Sequence, residues 1–324
     1  MKNFFKIIRW KNILIIAITM FVMKYAIILP IYDYFAISFA FSGTGFLFLV
    51  LGIMFLVSGG NVINDYFDRR TDMINRPDEV LVVFSISRRQ AILIHLFFTL
   101  FGTICGFIAS SYIGKTSFGF IFILAAIIIL LYSTKYKKKA FIGNIIASIL
   151  TGCVPLIVGL TEFYSAKFSG KLMIPDYALA SKTYLYIILG FSIFASLFSL
   201  IYGLIKYCIN YEGDKETGIR SIPVLIGKKN TNYIIGSLTL FTTISIIIAE
   251  RVFLPELPFF RNNNLSSYYI YFFIVLPCII MTISSYVGTE KRKYVFLEML
   301  TKIIMLFGIL FSLVFSFIIH EYIS

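Results

Sequence analysis

Six oxygen-bearing side chains in the segment NVINDYFDRRTDMIN, residues 61–75, could act together on a cation. If the segment is α-helical, three carboxylates and three amides fall within an arc of about 100°. These are Asn61, Asn64, Asp65, Asp68, Asp72 and Asn75. Carboxylates so close together repel one another unless a cation joins them, and Mg²⁺ typically takes one or two carboxylates plus phosphate oxygens and water. The pattern therefore predicts one wall of a Mg²⁺–diphosphate site, against the alternative of a solvated helix end with Asp–Arg surface pairs.

A second polar cluster, KYCINYEGDKETGIRSIPVLIGKK, covers residues 206–229. Asn210 and Asp214 lie four residues apart and would share one face of a helix. Gly218 is expected to turn or end the segment. An ordinary charged loop explains this stretch equally well when it is taken alone. Together with the first cluster, it predicts the opposite wall of the same site.

A third polar element, YSTKYKKKAFIGN, covers residues 132–144 and carries four lysines at the end of an apolar run. They are Lys135, Lys137, Lys138 and Lys139. Such a cluster marks the cytoplasmic end of a membrane helix. One or two of these lysines could also neutralise diphosphate oxygens opposite the metal.

The elements that position these clusters are membrane helices. The 324 residues are 59% hydrophobic and only 14% charged, with a mean hydropathy of +0.90, whereas about a quarter of the residues of a soluble domain are charged. Long unbroken apolar runs favour helices over β-strands, which alternate. We therefore expect an all-α integral membrane protein that forms one membrane domain over residues 1–324. The expected spans are near 10–31, 42–64, 88–111, 116–134, 141–161, 183–209, 231–250, 267–288 and 297–319.

The distribution of basic residues indicates the orientation of these nine spans. The N-terminal segment and alternate loops after it hold 21 of the 29 Lys and Arg residues, and the other loops hold six. By the positive-inside rule, the N-terminus and all three polar clusters lie on the cytoplasmic side of an inner or plasma membrane, and the C-terminus lies outside. Nucleic-acid binding is disfavoured because no soluble basic domain holds the charge; the lipid bilayer is the expected partner.

Several lone residues receive structural interpretations. Lys24 and Lys302 fall inside spans, where we expect each to pack against a polar neighbour or to reach an interface. His95 and His320 have no partner in sequence that would indicate catalysis. The four cysteines are scattered through apolar runs without a CxxC pair and are expected to be small buried side chains.

The chain resembles the UbiA superfamily of intramembrane prenyltransferases. Four elements carry the resemblance, in order along most of the chain: IRWKN at 8–12, NDYFDRRTD at 64–72, YSTKYK at 132–137 with the following Gly143–Asn144, and NYEGDKETGIRSIP at 210–223. The second resembles the family's N-D-x-x-D-x-x-x-D motif. The fourth resembles its D-x-x-x-D motif, except that Asn210 replaces the first aspartate and removes one charge.

The resemblance implies nine helices around a central cavity and a Mg²⁺-dependent transfer of an isoprenyl group from an isoprenyl diphosphate to a lipophilic acceptor. Asp65, Asp68, Asp72 and Asp214 would be catalytic, and these four with Asn210 would hold Mg²⁺. The remaining substrate-binding residues would be Arg9, Asn12, Asn64, Arg76, Tyr132, Lys137 and Lys138, together with Asn210. In this mechanism metal and basic side chains stabilise the leaving pyrophosphate, and an acceptor nucleophile captures the allylic cation.

The acceptor is a choice among several classes. The EGD signature, the IRWKN start and the run INRPDEV most resemble the branch that prenylates geranylgeranylglyceryl phosphate or a similar lipid glycerol phosphate. Quinone precursors such as 4-hydroxybenzoate or dihydroxynaphthoate are the alternative. A carrier or a noncatalytic lipid-binding relative is a third class, although the duplicated halves typical of carriers are not evident.

Overall fold

Nine long helices make up the described part of the molecule. The computed structural model describes residues 2–75, 86–261 and 263–324, and nine helices in these ranges are long and apolar enough to cross a membrane. They are α1 (Trp10–Tyr34), α2 (Gly43–Asn75), α3 (Arg88–Ile113), α4 (Thr116–Tyr136), α5 (Ile142–Phe168), α6 (Pro175–Ile209), α7 (Ile222–Glu256), α8 (Leu265–Tyr286) and α9 (Lys291–Ile323). Each corresponds to one expected span, so the predicted fold class is confirmed. Large apolar side chains such as Leu93 and Phe272 are exposed on the outer surface, as lipid contact requires.

Several helices continue beyond the apolar runs that predicted them. Helix α2 extends through the acidic segment to Asn75, eleven residues past the expected span end at 64. Helix α6 begins at Pro175, where proline is favoured in the first turn because it has no N–H to leave unbonded. Hydropathy cannot mark such ends, because polar residues leave the apolar layer while the backbone remains helical. Because α2 is helical to Asn75, the three carboxylates and three amides of residues 61–75 lie on one face of it, as the sequence predicted.

The helices close into a ring. Helix α2 packs along α3, α5 along α6, and α7 along α8, and α9 then packs against both α6 and α1. One buried cluster centres on α1, α2 and the first half of α6 and includes the end of α9, and a second joins the other half of α6 to α7, α8 and the first half of α9. Helix α6 therefore contributes to both clusters, and one of its faces is available to line the space between them.

A buried ion pair fixes the end of the bundle opposite the polar clusters. Lys24 of α1 and Glu162 of α5 are 2% and 1% exposed, and their charged atoms lie 3.7 Å apart. Glu162 Oε1 accepts hydrogen bonds from the backbone N–H groups of Ala40 (2.5 Å) and Phe41 (3.2 Å), and Lys24 Nζ donates to Phe41 O at 2.9 Å. The pair thus holds the connection between α1 and α2. Lys24 has the polar neighbour that the sequence predicted.

Candidate active site

A cavity of about 1080 Å³ lies inside the ring, and all three polar clusters open into it. Its remaining wall is largely apolar, with side chains such as Ile16, Leu56, Phe122 and Ile157 from α1, α2, α4 and α5. One end is therefore dense in charge, and the rest suits a hydrocarbon chain. This combination is typical of a site for an amphipathic ligand.

The polar face of α2 forms one wall of the charged end. Asn61, Asn64, Asp68 and Asp72 line the cavity, as the helical arc predicts. Asp65 instead binds Arg9: Arg9 Nη2 donates to Asp65 Oδ1 at 2.7 Å. The arc is therefore divided, with most of its members facing the cavity and Asp65, at one edge, tied to the N-terminal segment.

An unusual backbone conformation positions Arg9. The short helix Lys2–Ile7 ends just before Arg9, which adopts a left-handed conformation (φ 55°, ψ 53°) and caps the start of α1. A residue with a side chain rarely adopts this conformation, and such strain concentrates at functional sites. A hydrogen bond from Asn61 Nδ2 to Ile8 O at 2.9 Å holds the turn against α2. The turn brings the guanidinium to the acidic face.

Lys137 supplies a second cation to α2. It follows α4, lines the cavity and forms an ion pair with Asp68. Burial is the largest single influence and would lower the pKa of Lys137, but the interactions with Asp68 and Tyr132 together outweigh it and raise the pKa. Lys137 is therefore charged at neutral pH and can act as a fixed cation beside the acidic wall. Lys138 and Tyr132 also line the cavity.

The opposite wall comes from the segment that follows α6. Asn210 ends α6, and the short helix Tyr211–Glu216 carries Asp214, whose backbone N–H donates to Asn210 O at 3.0 Å. Asp214 is 5% exposed, and its Oδ2 has no hydrogen-bond partner. Burial, with the nearby Asp68 and Asp72 carboxylates, raises the pKa of Asp214 to about 6. A buried carboxylate oxygen without a partner is costly and is suited to receiving a cation.

Two direct contacts join the walls. The backbone N–H of Gly213 donates to Asn75 Oδ1 at 3.1 Å, and the hydroxyls of Thr71 and Thr217 lie 3.3 Å apart. The end of α2 is thereby fastened to the segment that carries Asp214. The spacing between the two acidic walls is set by these contacts.

The glycine–asparagine pair after α4 positions the third element. Asn144 Nδ2 donates to Leu200 O of α6 at 2.8 Å, and the Asn144 side chain fills the space where a Cβ on Gly203 would lie. Gly203 therefore permits α5 and α6 to approach closely at this level. The approach places the lysine-bearing segment beside the second wall.

The donor set fits Mg²⁺ when part of its coordination comes from a ligand. In the described part of the chain, no three His, Cys, Asp or Glu side chains converge to hold a metal ion unaided. However, Asp214 Oδ2 and Asn64 Oδ1 are buried oxygens without hydrogen-bond partners, and both residues line the cavity. Mg²⁺ commonly uses one or two carboxylates and completes its shell with phosphate oxygens and water.

The model of the UbiA prenyltransferase family matches residues 34–301. The chain belongs to the UbiA prenyltransferase family. A digeranylgeranylglyceryl phosphate synthase from Thermococcus gammatolerans is 32% identical over 211 residues, which are 64% of this chain and 65% of the relative. One from Methanosphaera stadtmanae is 29% identical over 248 residues, 76% of this chain and 78% of the relative. The matches to the synthases of Thermococcus gammatolerans, Pyrococcus horikoshii and Thermococcus kodakarensis span just under two thirds of the lengths of those proteins.

Solved structures share the UbiA fold. A structure of a digeranylgeranylglyceryl phosphate synthase has a TM-score of 0.60 at 21% identity and covers 96% of this chain and 98% of its own. A UbiA homologue from Archaeoglobus fulgidus bound to DMAPP and Mg²⁺ has a TM-score of 0.51 at 16% identity and covers 96% and 99%. The predicted family and its ring of helices around a cavity are confirmed.

The structure brings most of the predicted UbiA site residues to one end of one cavity. The lining set contains Arg9, Asn12, Asn64, Asp68, Asp72, Tyr132, Lys137, Lys138, Asn210 and Asp214. Asp65 adjoins it through Arg9. Arg76 lies outside the described residues. The assignment of individual roles to these residues stays a prediction.

Sequence reasoning missed a further charged group on the wall of this UbiA cavity. Tyr202 and Lys206 of α6 meet Glu298 and Lys302 of α9, and all four line the cavity. The i, i+4 spacing of Glu298 and Lys302 inside an apolar run was the available signal. The sequence predicted for Lys302 only a polar neighbour or a position that reaches an interface, and the structure shows Glu298 as its neighbour.

Proposed function

We propose that the chain transfers an isoprenyl group from an isoprenyl diphosphate to a hydroxyl of a lipid glycerol phosphate, with Mg²⁺ as cofactor. The observation that carries the proposal is a membrane cavity with paired acidic walls and fixed cations at one end and apolar side chains along the rest. The names of the Thermococcus and Methanosphaera relatives support the lipid glycerol phosphate as acceptor.

The diphosphate end of the donor would bind at the charged end. Asp68, Asp72 and Asp214, with the amide oxygens of Asn64 and Asn210, would hold Mg²⁺, and Arg9 and Lys137 would contact diphosphate oxygens directly. When bound, Mg²⁺ supplies Lewis-acid stabilisation of negative charge on the leaving diphosphate. The isoprenyl tail would lie along Leu56, Phe122 and Ile157.

Transfer then needs one bond to break and one to form. The allylic C–O bond breaks with both electrons leaving on pyrophosphate, whose new charge lies among fixed cations and therefore costs little reorganisation. An acceptor oxygen donates an electron pair to the allylic carbon, and its proton passes to water at the polar mouth. The apolar wall keeps other water from the carbon.

We also infer the placement of the site in the membrane. The charged end carries the basic loops at residues 135–139 and 215–229, so the positive-inside rule places it on the cytoplasmic side of an inner or plasma membrane. The N-terminus would then be cytoplasmic and the C-terminus outside. Reporter fusions at the two ends test this assignment.

Purified protein in lipid nanodiscs provides the main test. It is incubated with Mg²⁺ and isoprenyl diphosphates of several chain lengths, and with geranylgeranylglyceryl phosphate, 4-hydroxybenzoate or dihydroxynaphthoate as acceptor. Mass spectrometry is expected to detect a new ether with the glycerol phosphate. If product formed only with an aromatic acceptor, that acceptor would replace the proposed glycerol phosphate. If no donor–acceptor pair gave a product, the proposal of a transferase would be wrong.

A conservative substitution distinguishes an isoprenyl transferase from a carrier that transports isoprenyl diphosphate. Asp68→Asn should lower turnover roughly 10²–10³-fold, because Asp68 is one of the proposed ligands of the Mg²⁺ that stabilises negative charge on the leaving diphosphate. Asp176→Asn is the matched control, since Asp176 is an exposed residue in the first turn of α6 away from the cavity. Isoprenyl diphosphate transport that persists in Asp68→Asn, with no turnover in the unmodified protein, would identify a carrier.

A further inference from the structure

A second charged cluster lines the same cavity and begins on α6 one turn before Asn210. It comprises Tyr202 and Lys206 of α6 and Glu298 and Lys302 of α9, and is called here the α6–α9 cluster. Glu298 Oε1 accepts hydrogen bonds from Lys302 Nζ (2.7 Å), Lys206 Nζ (3.1 Å) and the Tyr202 hydroxyl (3.3 Å). One carboxylate thus faces two ammonium groups.

The charge and exposure of the α6–α9 cluster favour a bound anion. Glu298 is 13% exposed, whereas Lys206 and Lys302 are 29% and 59% exposed. The carboxylate is therefore withdrawn, and the two ammonium groups are the more accessible charged groups of the cluster. Lys302 lies eleven residues into α9, where a lysine is costly and usually serves a ligand or a partner.

A polar stripe on α6 connects this cluster to the diphosphate end. Ser199, Tyr202, Lys206 and Asn210 all line the cavity and fall within about 80° on one face of the helix. Lys206 lies one turn, about 6 Å, from Asn210 along the axis. The Ser199 hydroxyl adds a polar group at the other end of this stripe and lies 3.1 Å from the Thr151 hydroxyl.

We propose that the α6–α9 cluster binds the phosphate of the acceptor lipid through Lys206 and Lys302. The proposal rests on the proposed transferase function for the identity of that lipid. A phosphate monoester carries about two negative charges near pH 7 and accepts several charge-assisted hydrogen bonds. In a glycerol phosphate the phosphate and the free hydroxyls are a few bonds apart, which matches the one-turn separation between Lys206 and the metal-facing Asn210.

The geometry assigns roles to the three charged members. Lys206 and Lys302 contact the phosphate. Glu298 is a positioning residue, because it holds both ammonium groups on the cavity wall. The hydroxyl of the bound glycerol then faces the allylic carbon of a donor held at the acidic walls, and such alignment favours bond formation.

Binding of two probe lipids tests the cluster without turnover. The probes are a glycerol phosphate with one C20 isoprenyl ether and the same ether without phosphate, titrated into full-length protein in nanodiscs without Mg²⁺ or donor. The unmodified protein should bind the phosphate lipid more tightly. Lys302→Gln should reduce that preference about tenfold or more, since a hydrogen bond to a charged group is lost. Lys182→Gln, an exposed lysine of α6 outside the cavity lining, should leave it unchanged.

A Glu298→Gln variant separates phosphate binding from a purely structural ion pair. The glutamine keeps the Oε1 acceptor that positions the two ammonium groups and removes the negative charge, so the preference for the phosphate lipid should persist or increase at an unchanged melting temperature. Loss of the preference in Glu298→Gln, or its retention in Lys302→Gln, would overturn the proposal. Tighter binding of 4-hydroxybenzoate than of the phosphate lipid would also overturn the proposal, because the cluster would then bind a carboxylate in preference to a phosphate.

Kinetics distinguish this inference from the proposed function. Lys302→Gln should raise the KM for the acceptor about tenfold and leave the KM for the donor within about twofold. Turnover with an unchanged acceptor KM would reject the α6–α9 assignment and keep the transferase. A phosphate preference that depends on Lys302, without turnover for any acceptor, would keep the α6–α9 assignment and reject the transferase.

Discussion

The side chain of Asn75 lies directly against the backbone of Gly213. Asn75 Oδ1 accepts a hydrogen bond from the Gly213 N–H at 3.1 Å, and a Cβ on Gly213 would overlap the Asn75 amide. The contact joins the end of α2 to the short helix that carries Asp214. The two acidic walls are thus held in register by a residue pair that contributes no charge.

Gly213→Ala should therefore damage the site without removing any ligand. The added methyl group must push the Asp214 segment away from α2, and small displacements of positioning groups cost up to about 10²-fold in rate. Steady-state turnover with the isoprenyl diphosphate measures the effect. Gly190→Ala is the control, because a Cβ there meets no atom within 4 Å. Equal turnover of both variants would show that the contact does not set the spacing.

The sequence predicted the cavity-facing arc of α2, because a helix fixes the relative direction of its side chains. It did not predict that Asp65 would turn to Arg9, or that Asn75 would bind Gly213 rather than a cation. Both outcomes depend on where other segments pass, which periodicity within α2 does not contain.

The α6–α9 cluster illustrates the same limit at longer range. Tyr202 and Glu298 are 96 residues apart and meet only because α9 closes the ring against α6. Hydropathy located both helices correctly, but it carries no information on which helices are neighbours. The Glu298–Lys302 spacing was visible in the sequence, whereas its partner on α6 was not.

Asn210→Asp should restore a carboxylate to the second wall. Because Mg²⁺ affinity rises with the number of charged oxygen ligands, the Mg²⁺ concentration for half-maximal turnover should fall, by roughly tenfold at most. Asn230→Asp, at an exposed position outside the cavity lining, provides the charge-matched control. A Mg²⁺ requirement that is unchanged or higher in Asn210→Asp would place residue 210 outside the coordination of the metal.

Lys137→Gln should weaken use of the donor. The change leaves Asp68, which is 13% exposed, without its cation and removes a charge that faces the diphosphate. We expect kcat/KM for the isoprenyl diphosphate to fall at least about tenfold, since a charge-assisted hydrogen bond is lost. Lys135→Gln in the same basic run, outside the cavity lining, should change it less than about twofold. Equal losses in the two variants would point to loop charge in general rather than to Lys137.

Glu162→Gln tests the stability of the opposite end of the bundle. The substitution leaves the buried Lys24 ammonium without its counter-charge, so unfolding free energy should fall by about 3–5 kcal/mol. Thermal unfolding in detergent measures the loss. The double variant Lys24→Met, Glu162→Gln removes both charges and should recover most of the stability, because the isolated buried charge causes the penalty. A double variant as unstable as Glu162→Gln would instead assign the stability to the hydrogen bond that Lys24 donates to Phe41 O, which the methionine also removes.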